Sequence, residues 1–335
     1  MNIVILLNRG RAAPYVMLDL SDHFNSMGHT SRLVKVEDLH ELTCEKGTRE
    51  AYLELTGKIE AFNPDVVLAY GAVNLVFYRF KDGPVVNVLD TMNIPMAGIY
   101  YDSPFHAQVF PALASMVYSR NHHMFVWDRY YVEELKKLGF HNVYYMPIAT
   151  NTKRYMKLNE QARETSKFKS DVSFVGAWSP KRDLVLRTLC DFDLAIYGYG
   201  WEKASQDLQA RFHGALDNIT ELPFLYNFSK INMNVTMEQG ISSLNMRVYD
   251  VMACEGFLLS DYKSDFEELF DYENEVVCYK SVKELPGLVQ HYLDHEDERR
   301  AKAKAARKRV LREHSYKKRA EFIIETLEKS GIGKG

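Results

Sequence analysis

Residues 171–200 read DVSFVGAWSPKRDLVLRTLCDFDLAIYGYG. An apolar run at 172–175 stops at Gly176, a helical pattern covers 184–190, and a second apolar run at 194–197 stops at Gly198-Tyr199-Gly200. Strand, helix and strand in that order predict a β-α-β unit with parallel strands. Runs this short and this apolar suit strands buried on both faces.

The same alternation continues in both directions. Towards the C-terminus it predicts a helix at 222–228, a strand at 231–235, a helix at 246–253 and a strand at 257–260. Strongly charged helices follow Val282 and cover 296–311, and a last helix spans about 317–329. Towards the N-terminus, residues 150–170 turn polar and lose periodicity, which marks a domain boundary. Before it, strands are expected at 3–7, 30–36, 65–69, 85–89, 98–101, 123–126 and 143–146, and helices at 15–27, 49–62 and 129–138. Gly28, Asn63-Pro64, Gly139 and Pro147 supply the stops. Two successive α/β domains, each with a parallel sheet, are the expected fold, with boundaries at 1–155 and 156–315.

Composition narrows the function classes. A net charge of −3 gives no global field for nucleic acid or an anionic membrane, so any basic site must be local. The four cysteines include no C-x-x-C pair, which argues against a zinc knuckle or a disulfide framework and suits a reducing, cytoplasmic compartment. The seven-residue apolar start is too short for a signal h-region or a membrane span.

Ligands of such sheets sit beyond the carboxyl ends of the strands. The richest stretch there is Leu244-Asn245-Met246-Arg247-Val248-Tyr249-Asp250, preceded by a loop with Gly240, Ser242 and Ser243. Amides at a helix start favour an anion, and Arg247 in the first turn adds forked donors suited to a diphosphate. Asp250, three residues on, could take the hydroxyls of a ribose; the two residues could equally be an ordinary helix pair. Gly176, Trp178, Lys181 and Arg182 form a glycine turn with a basic pair at a helix start, a phosphate cradle or a solvated helix end. Tyr197, Gly198, Tyr199 and Gly200 could admit a ligand to the backbone and stack on it, or fill a core. In the N-terminal half, Asp102 and His106 follow a strand and could act as base, acid or hydroxyl ligand, though Asp102 could also only cap a turn. Asn8, Arg9 and Gly10 would face the crevice from the first loop.

Two patterns are set aside. Asp191-Phe192-Asp193 precedes a strand, the wrong end for a ligand in a parallel sheet. His122 and His123 are adjacent on a strand and point to opposite faces, so they cannot share a metal. No metal site and no cofactor are expected.

The C-terminal motifs, taken together, resemble those of CgeB-like glycosyltransferases, relatives of the group 1 glycosyltransferases of GT-B fold. The matching stretches run in order: Phe174-Val175-Gly176, Tyr197–Trp201, Leu222–Tyr226 with Lys230–Asn234, Leu244–Cys254, and Phe257–Tyr262. The resemblance implies two Rossmann-like domains with the active site in the cleft between them. Residues 1–155 would form the acceptor side and 156–315 would hold a nucleotide-sugar donor, with 316–335 as a helix crossing back to the N-terminal domain. It further implies Arg247 near the diphosphate, Asp250 near the ribose, and metal-independent transfer to an unidentified acceptor. This chain departs from the group 1 pattern in three places. Asp250 stands for Glu, Ser242 for the acidic partner eight residues earlier, and Glu255 for a glycine. A sugar-nucleotide epimerase or hydrolase, or a silent sugar-nucleotide-binding or assembly protein, are the competing readings.

Overall fold

A computed structural model describes residues 1–7, 13–35, 48–70, 77–79, 85–87, 92–105 and 121–333. The chain divides into two compact units, one formed by Met1–Pro147 with Tyr316–Gly335 and the other by Ile148–Ser315.

The first unit is built on a six-stranded sheet. Its strands are β1 (Asn2–Leu7), β2 (Thr30–Lys35), β3 (Val66–Tyr70), β6 (Met96–Tyr100), β7 (His122–Val126) and β8 (Asn142–Tyr145). They are all parallel and lie in the order β2-β1-β3-β6-β7-β8. Helices α1 (Ala13–Ser26), α2 (Thr48–Glu60) and α3 (Arg129–Lys137) connect them. The strand expected at 85–89 does not join this sheet. Val85–Asn87 (β5) instead pairs antiparallel with Phe77–Arg79 (β4) in a two-stranded ribbon. Antiparallel neighbours need only a short turn, whereas a place in the parallel sheet demands a crossover.

The final helix, α12 (Tyr316–Lys329), packs on α1 and belongs to this first unit. Arg319 Nε donates to the Pro147 carbonyl at 2.6 Å, and Phe322 meets Phe125 edge-on at 6.0 Å. The chain thus returns to its N-terminal unit through a helix, as the resemblance implied.

The second unit carries β9 (Val172–Val175), β10 (Leu194–Tyr197), β11 (Ile231–Asn234), β12 (Leu258–Asp261) and β13 (Val277–Tyr279). All are parallel, in the order β10-β9-β11-β12-β13. Around them lie α4 (Glu160–Thr165), α5 (Pro180–Arg187), α6 (Gln206–Gln209), α7 (Leu222–Phe228), α8 (Met246–Ala253), α9 (Asp265–Leu269), α10 (Leu285–Asp294) and α11 (Glu296–Glu313). The core beneath the sheet includes Phe174, Leu186, Ile196, Trp201, Ile231 and Leu259. Helix α5 begins at Pro180, ahead of the expected 184, because Ser179 caps it, accepting from Arg182 N at 3.3 Å, and Pro180 is pre-set for a first helical position. Where the chain enters and leaves this unit it is stitched to itself: Thr150 N–H donates to the His314 carbonyl at 3.0 Å.

Strand order places the site. In the second unit the chain passes from β9 outward to β10, then back across to β11 on the other side of β9. That reversal opens a crevice beyond the carboxyl ends of β9 and β11.

Candidate functional site

The crevice of the second unit is framed by Gly176-Ala177-Trp178 after β9 and Val235-Thr236 after β11, with the start of α8 beside them. Arg182 straddles it. Its Nη1 donates to the Ala177 carbonyl at 2.7 Å, while Nε and Nη2 reach the Val235 carbonyl at 3.1 and 2.9 Å. The side chain lies over the Phe174 ring and is 3% exposed. Arg182 therefore clamps the two lips of the crevice together. Three of its five N–H donors go to backbone carbonyls.

Lys181 is also engaged. Its Nζ pairs with Asp261 at 3.0 Å and donates to the Thr236 carbonyl at 2.9 Å, yet the side chain remains about a third exposed. It stands at the mouth. Trp178 turns inward, its Nε1 donating to Asp183 at 3.1 Å.

The glycines of the aromatic turn answer to packing. Gly198 has φ +137°, and a Cβ there would lie 2.0 Å from the Gly176 carbonyl oxygen. That carbonyl also accepts from Trp201 Nε1 at 2.8 Å, and Gly176 N–H donates to the Tyr197 carbonyl at 2.9 Å. Gly200, with φ +81°, opens the short turn that sends Trp201 into the core. Tyr197 is buried against His213 and Phe168, and only Tyr199 faces solvent. Backbone crowding between two strand tips explains Gly198, and the left-handed φ of the turn explains Gly200.

Helix α8 starts at the crevice. Asn245 is its cap, accepting from Arg247 N at 3.1 Å on its side chain and from Val248 N at 3.2 Å on its carbonyl. Arg247 differs from the other basic residues here. Among the described residues its side chain makes no ion pair, and its Nε is sealed from solvent without a hydrogen-bond partner. Burial, and then the neighbouring Arg247, bring the Arg182 guanidinium down to about 10. Two guanidinium groups thus face one region with no carboxylate bound to Arg247. An orphaned buried charged donor costs about 1–3 kcal/mol or more, and an anion placed there removes that cost.

Asp250 is buried. It is 3% exposed, accepts from Thr150 Oγ1 at 2.6 Å, and lies within electrostatic reach of Tyr155, Tyr226 and Cys254. Its carboxylate ties the segment after β8 to α8. Burial first, and Asp250 among its neighbours, push the Tyr226 hydroxyl up, while Arg247 pulls it the other way. That hydroxyl is itself buried without a hydrogen-bond partner.

The sequence reading passed over the polar residues beneath the crevice. Asn234, at the end of β11, is 1% exposed and accepts from Asn245 Nδ2 at 2.8 Å. Its own Nδ2 donates to Ser260 Oγ at 2.9 Å. Asp261 Oδ1 accepts from both Thr236 N and Thr236 Oγ1 at 2.9 Å. The available signal was Asn232 and Asn234 in a strand too short and too apolar to be exposed.

In the first unit, Asp102 stands exposed two residues past β6, and its charge raises the pKa of Tyr70 after burial has done so. Asn8, Arg9, Gly10 and His106 lie outside the described residues. Asp193 sits at the amino end of β10, where it accepts from Asp171 N at 3.4 Å. His122 and His123 point apart, to Tyr100 Oη at 3.1 Å and Tyr144 Oη at 3.5 Å respectively.

Comparison with known proteins gives the following likenesses. Residues 181–325 match the family described as glycosyl transferase-like. Spore protein CgeB of Bacillus subtilis (strain 168) is 23% identical over 196 residues, covering 52% of this chain and 58% of that protein, so the match spans little more than half of the relative. Among solved structures, sucrose-phosphate synthase from Thermosynechococcus elongatus superposes with a TM-score of 0.69 at 11% identity, covering 98% of each chain. Anabaena Alr3699/HepE, solved in complex with UDP and glucose, gives 0.72 at 10% identity, covering 98% of this chain and 100% of that one. No helix among the described residues is long and apolar enough to cross a membrane. The chain thus has the GT-B fold of these solved structures, and its residues 181–325 match a glycosyl transferase-like family.

Proposed function

We propose that this protein transfers a glycosyl group from a nucleoside-diphosphate sugar to an acceptor hydroxyl, with the donor held by the second unit. In that reaction the bond from the anomeric carbon to the diphosphate oxygen breaks, and the electron pair leaves with the nucleoside diphosphate. The acceptor oxygen forms the new bond and gives up its proton. The negative charge that grows on the departing diphosphate is what the site must stabilise.

One observation carries the proposal. Arg247 lies at the start of α8, beside the switch-point crevice, with a buried and unpartnered Nε. The positive end of the α8 dipole lies at the same place. Lys181 at the mouth, already beside Asp261, adds a second cation. Asp102 is the proposed acceptor-side carboxylate, orienting or deprotonating the hydroxyl. The similar fold of Anabaena Alr3699/HepE was solved with UDP-glucose, which supports a nucleoside-diphosphate sugar as the donor class. Because side-chain cations and amides supply the charge, the transfer is proposed to need no divalent metal.

Calorimetry with UDP, GDP and ADP, followed by a product assay with the matching nucleotide sugars, tests this. Arg247→Ala is expected to weaken diphosphate binding by about 10- to 100-fold, the worth of a charge-assisted contact. Wild-type affinity and turnover in Arg247→Ala would overturn the proposal. Consumption of donor without any acceptor would point to a hydrolase or epimerase instead. Turnover unchanged by EDTA is the expected result for metal independence.

A further inference from the structure

We infer that Asn234, a side chain no ligand can touch, is a positioning residue that sets the Arg247 guanidinium through Asn245. The inference rests on Arg247 being the diphosphate ligand.

Asn245 is held from both sides. Its Oδ1 accepts the Arg247 amide at 3.1 Å and its Nδ2 donates to Asn234 Oδ1 at 2.8 Å. Asn234 Nδ2 in turn donates to Ser260 Oγ at 2.9 Å, and Ser260 Oγ donates to the Asp261 carbonyl at 3.1 Å. The Asp261 carboxylate holds Thr236 and pairs with Lys181 at 3.0 Å. One hydrogen-bonded path thus runs from the first turn of α8, across the tips of β11 and β12, to the cation on α5. Asn234 is 1% exposed and Ser260 is 0% exposed. Both lie beneath the crevice and out of reach of anything within it.

Mutual satisfaction of buried polar groups would explain the hydrogen bonds but not the choice of residue. The cap needs only an oxygen at position 245, which Ser or Asp supplies as well. An apolar side chain at 234 would need no partner at all, and Ile231 and Met233 of the same strand are apolar and buried. What the second amide adds is a fixed rotation of Asn245, and with it a fixed start for a helix of only 8 residues. Arg247 is two residues beyond that cap and has no partner to hold its Nε, so its aim depends on where the helix begins. Misplacing a binding group by about 1 Å is enough to cost orders of magnitude in a preorganised site.

The test is a double-mutant cycle on the full chain, read as affinity for inorganic pyrophosphate and for UDP by calorimetry. Asn234→Leu is near-isosteric and removes both hydrogen bonds. It is expected to weaken both probes about tenfold in the wild-type background and less than about twofold in Arg247→Ala. Ser260→Ala, which frees Asn234 on its far side, should show the same pattern at smaller amplitude, and it carries the cycle if Asn234→Leu does not fold. Equal losses in both backgrounds, or unchanged pyrophosphate binding in the folded Asn234 and Ser260 variants, overturn the positioning role. Wild-type affinity in Arg247→Ala alone overturns the donor-site reading instead, so the two failures are told apart.

Discussion

Arg247 occupies an unfavourable place for a cation. The positive end of the α8 dipole is beside it, Arg182 is close, and its Nε is buried without an acceptor. Arg182, by contrast, has three donors satisfied by two carbonyls and is a structural clamp despite the adjacent basic Lys181. Substituting Lys at 247 keeps the charge and loses the fork, so Arg247→Lys should bind nucleoside diphosphates about tenfold more weakly than wild type by calorimetry, better than Arg247→Ala. The glycines allow an equally sharp contrast. At Gly198 a Cβ would lie 2.0 Å from a backbone oxygen, whereas at Gly28, φ +88°, nothing lies within 4 Å. Gly28→Ala should cost only the left-handed strain, about 1–2 kcal/mol, and Gly198→Ala clearly more in urea denaturation, because backbone must move. Equal costs would show that the strand tips are not rigidly crowded.

At the scale of elements, α8 depends on its two ends. Loss of the cap in Asn245→Ala should lower stability by about 1 kcal/mol, and Asn245→Ser should recover most of it. Recovery of stability without recovery of pyrophosphate affinity would separate capping from aiming. At the other end, Glu255 has φ +60°, the left-handed conformation that a glycine adopts without strain at the residue after a helix. An ion pair with Lys157 at 2.6 Å offers partial compensation, but the lysine is largely exposed and the pair weak. Glu255→Gly is therefore expected to raise the urea midpoint, by about 0.5–1 kcal/mol of stability, and a lowered midpoint would mean that the ion pair outweighs the strain.

For the whole molecule, the division into two units means that unfolding need not be a single transition. The first unit contains a group that makes its stability pH-dependent. His122 is buried in β7 beside Tyr100, and burial, helped by His123, pushes its pKa down to about 3 from an ordinary 6.5. The folded unit keeps it neutral while the unfolded chain takes up a proton below 6.5. Stability from this residue is thus intact above that pH and declines as pH falls towards about 3, by up to about 1.4 kcal/mol per pH unit. Urea titrations between pH 6.5 and 5, above the usual carboxylate range, should show this decline in the wild type and a flatter profile in His122→Gln. Equal slopes would mean another group carries the proton.

The order of strands and helices was legible in the sequence because a strand buried on both faces must be an apolar run, and Gly, Pro and Ser at its ends mark where it stops. Residues 172–175 and 194–197 show this directly. The short ribbon at Phe77–Arg79 and Val85–Asn87 was not legible as such, since a three-residue strand reads alike in either pairing. Which basic residue remains available was also beyond the sequence. Lys181, Arg182 and Arg247 are all basic, and only the folded arrangement brings the Ala177 and Val235 carbonyls to Arg182, Asp261 to Lys181, and, among the described residues, no acceptor to the Arg247 Nε. The sequence determined a repeated β-α-β chain with cations near helix starts. The tertiary structure decided their roles, because a hydrogen bond is satisfied by whatever lies about 3 Å away in space, and those neighbours include Val235 and Asp261, 53 and 80 residues distant along the chain.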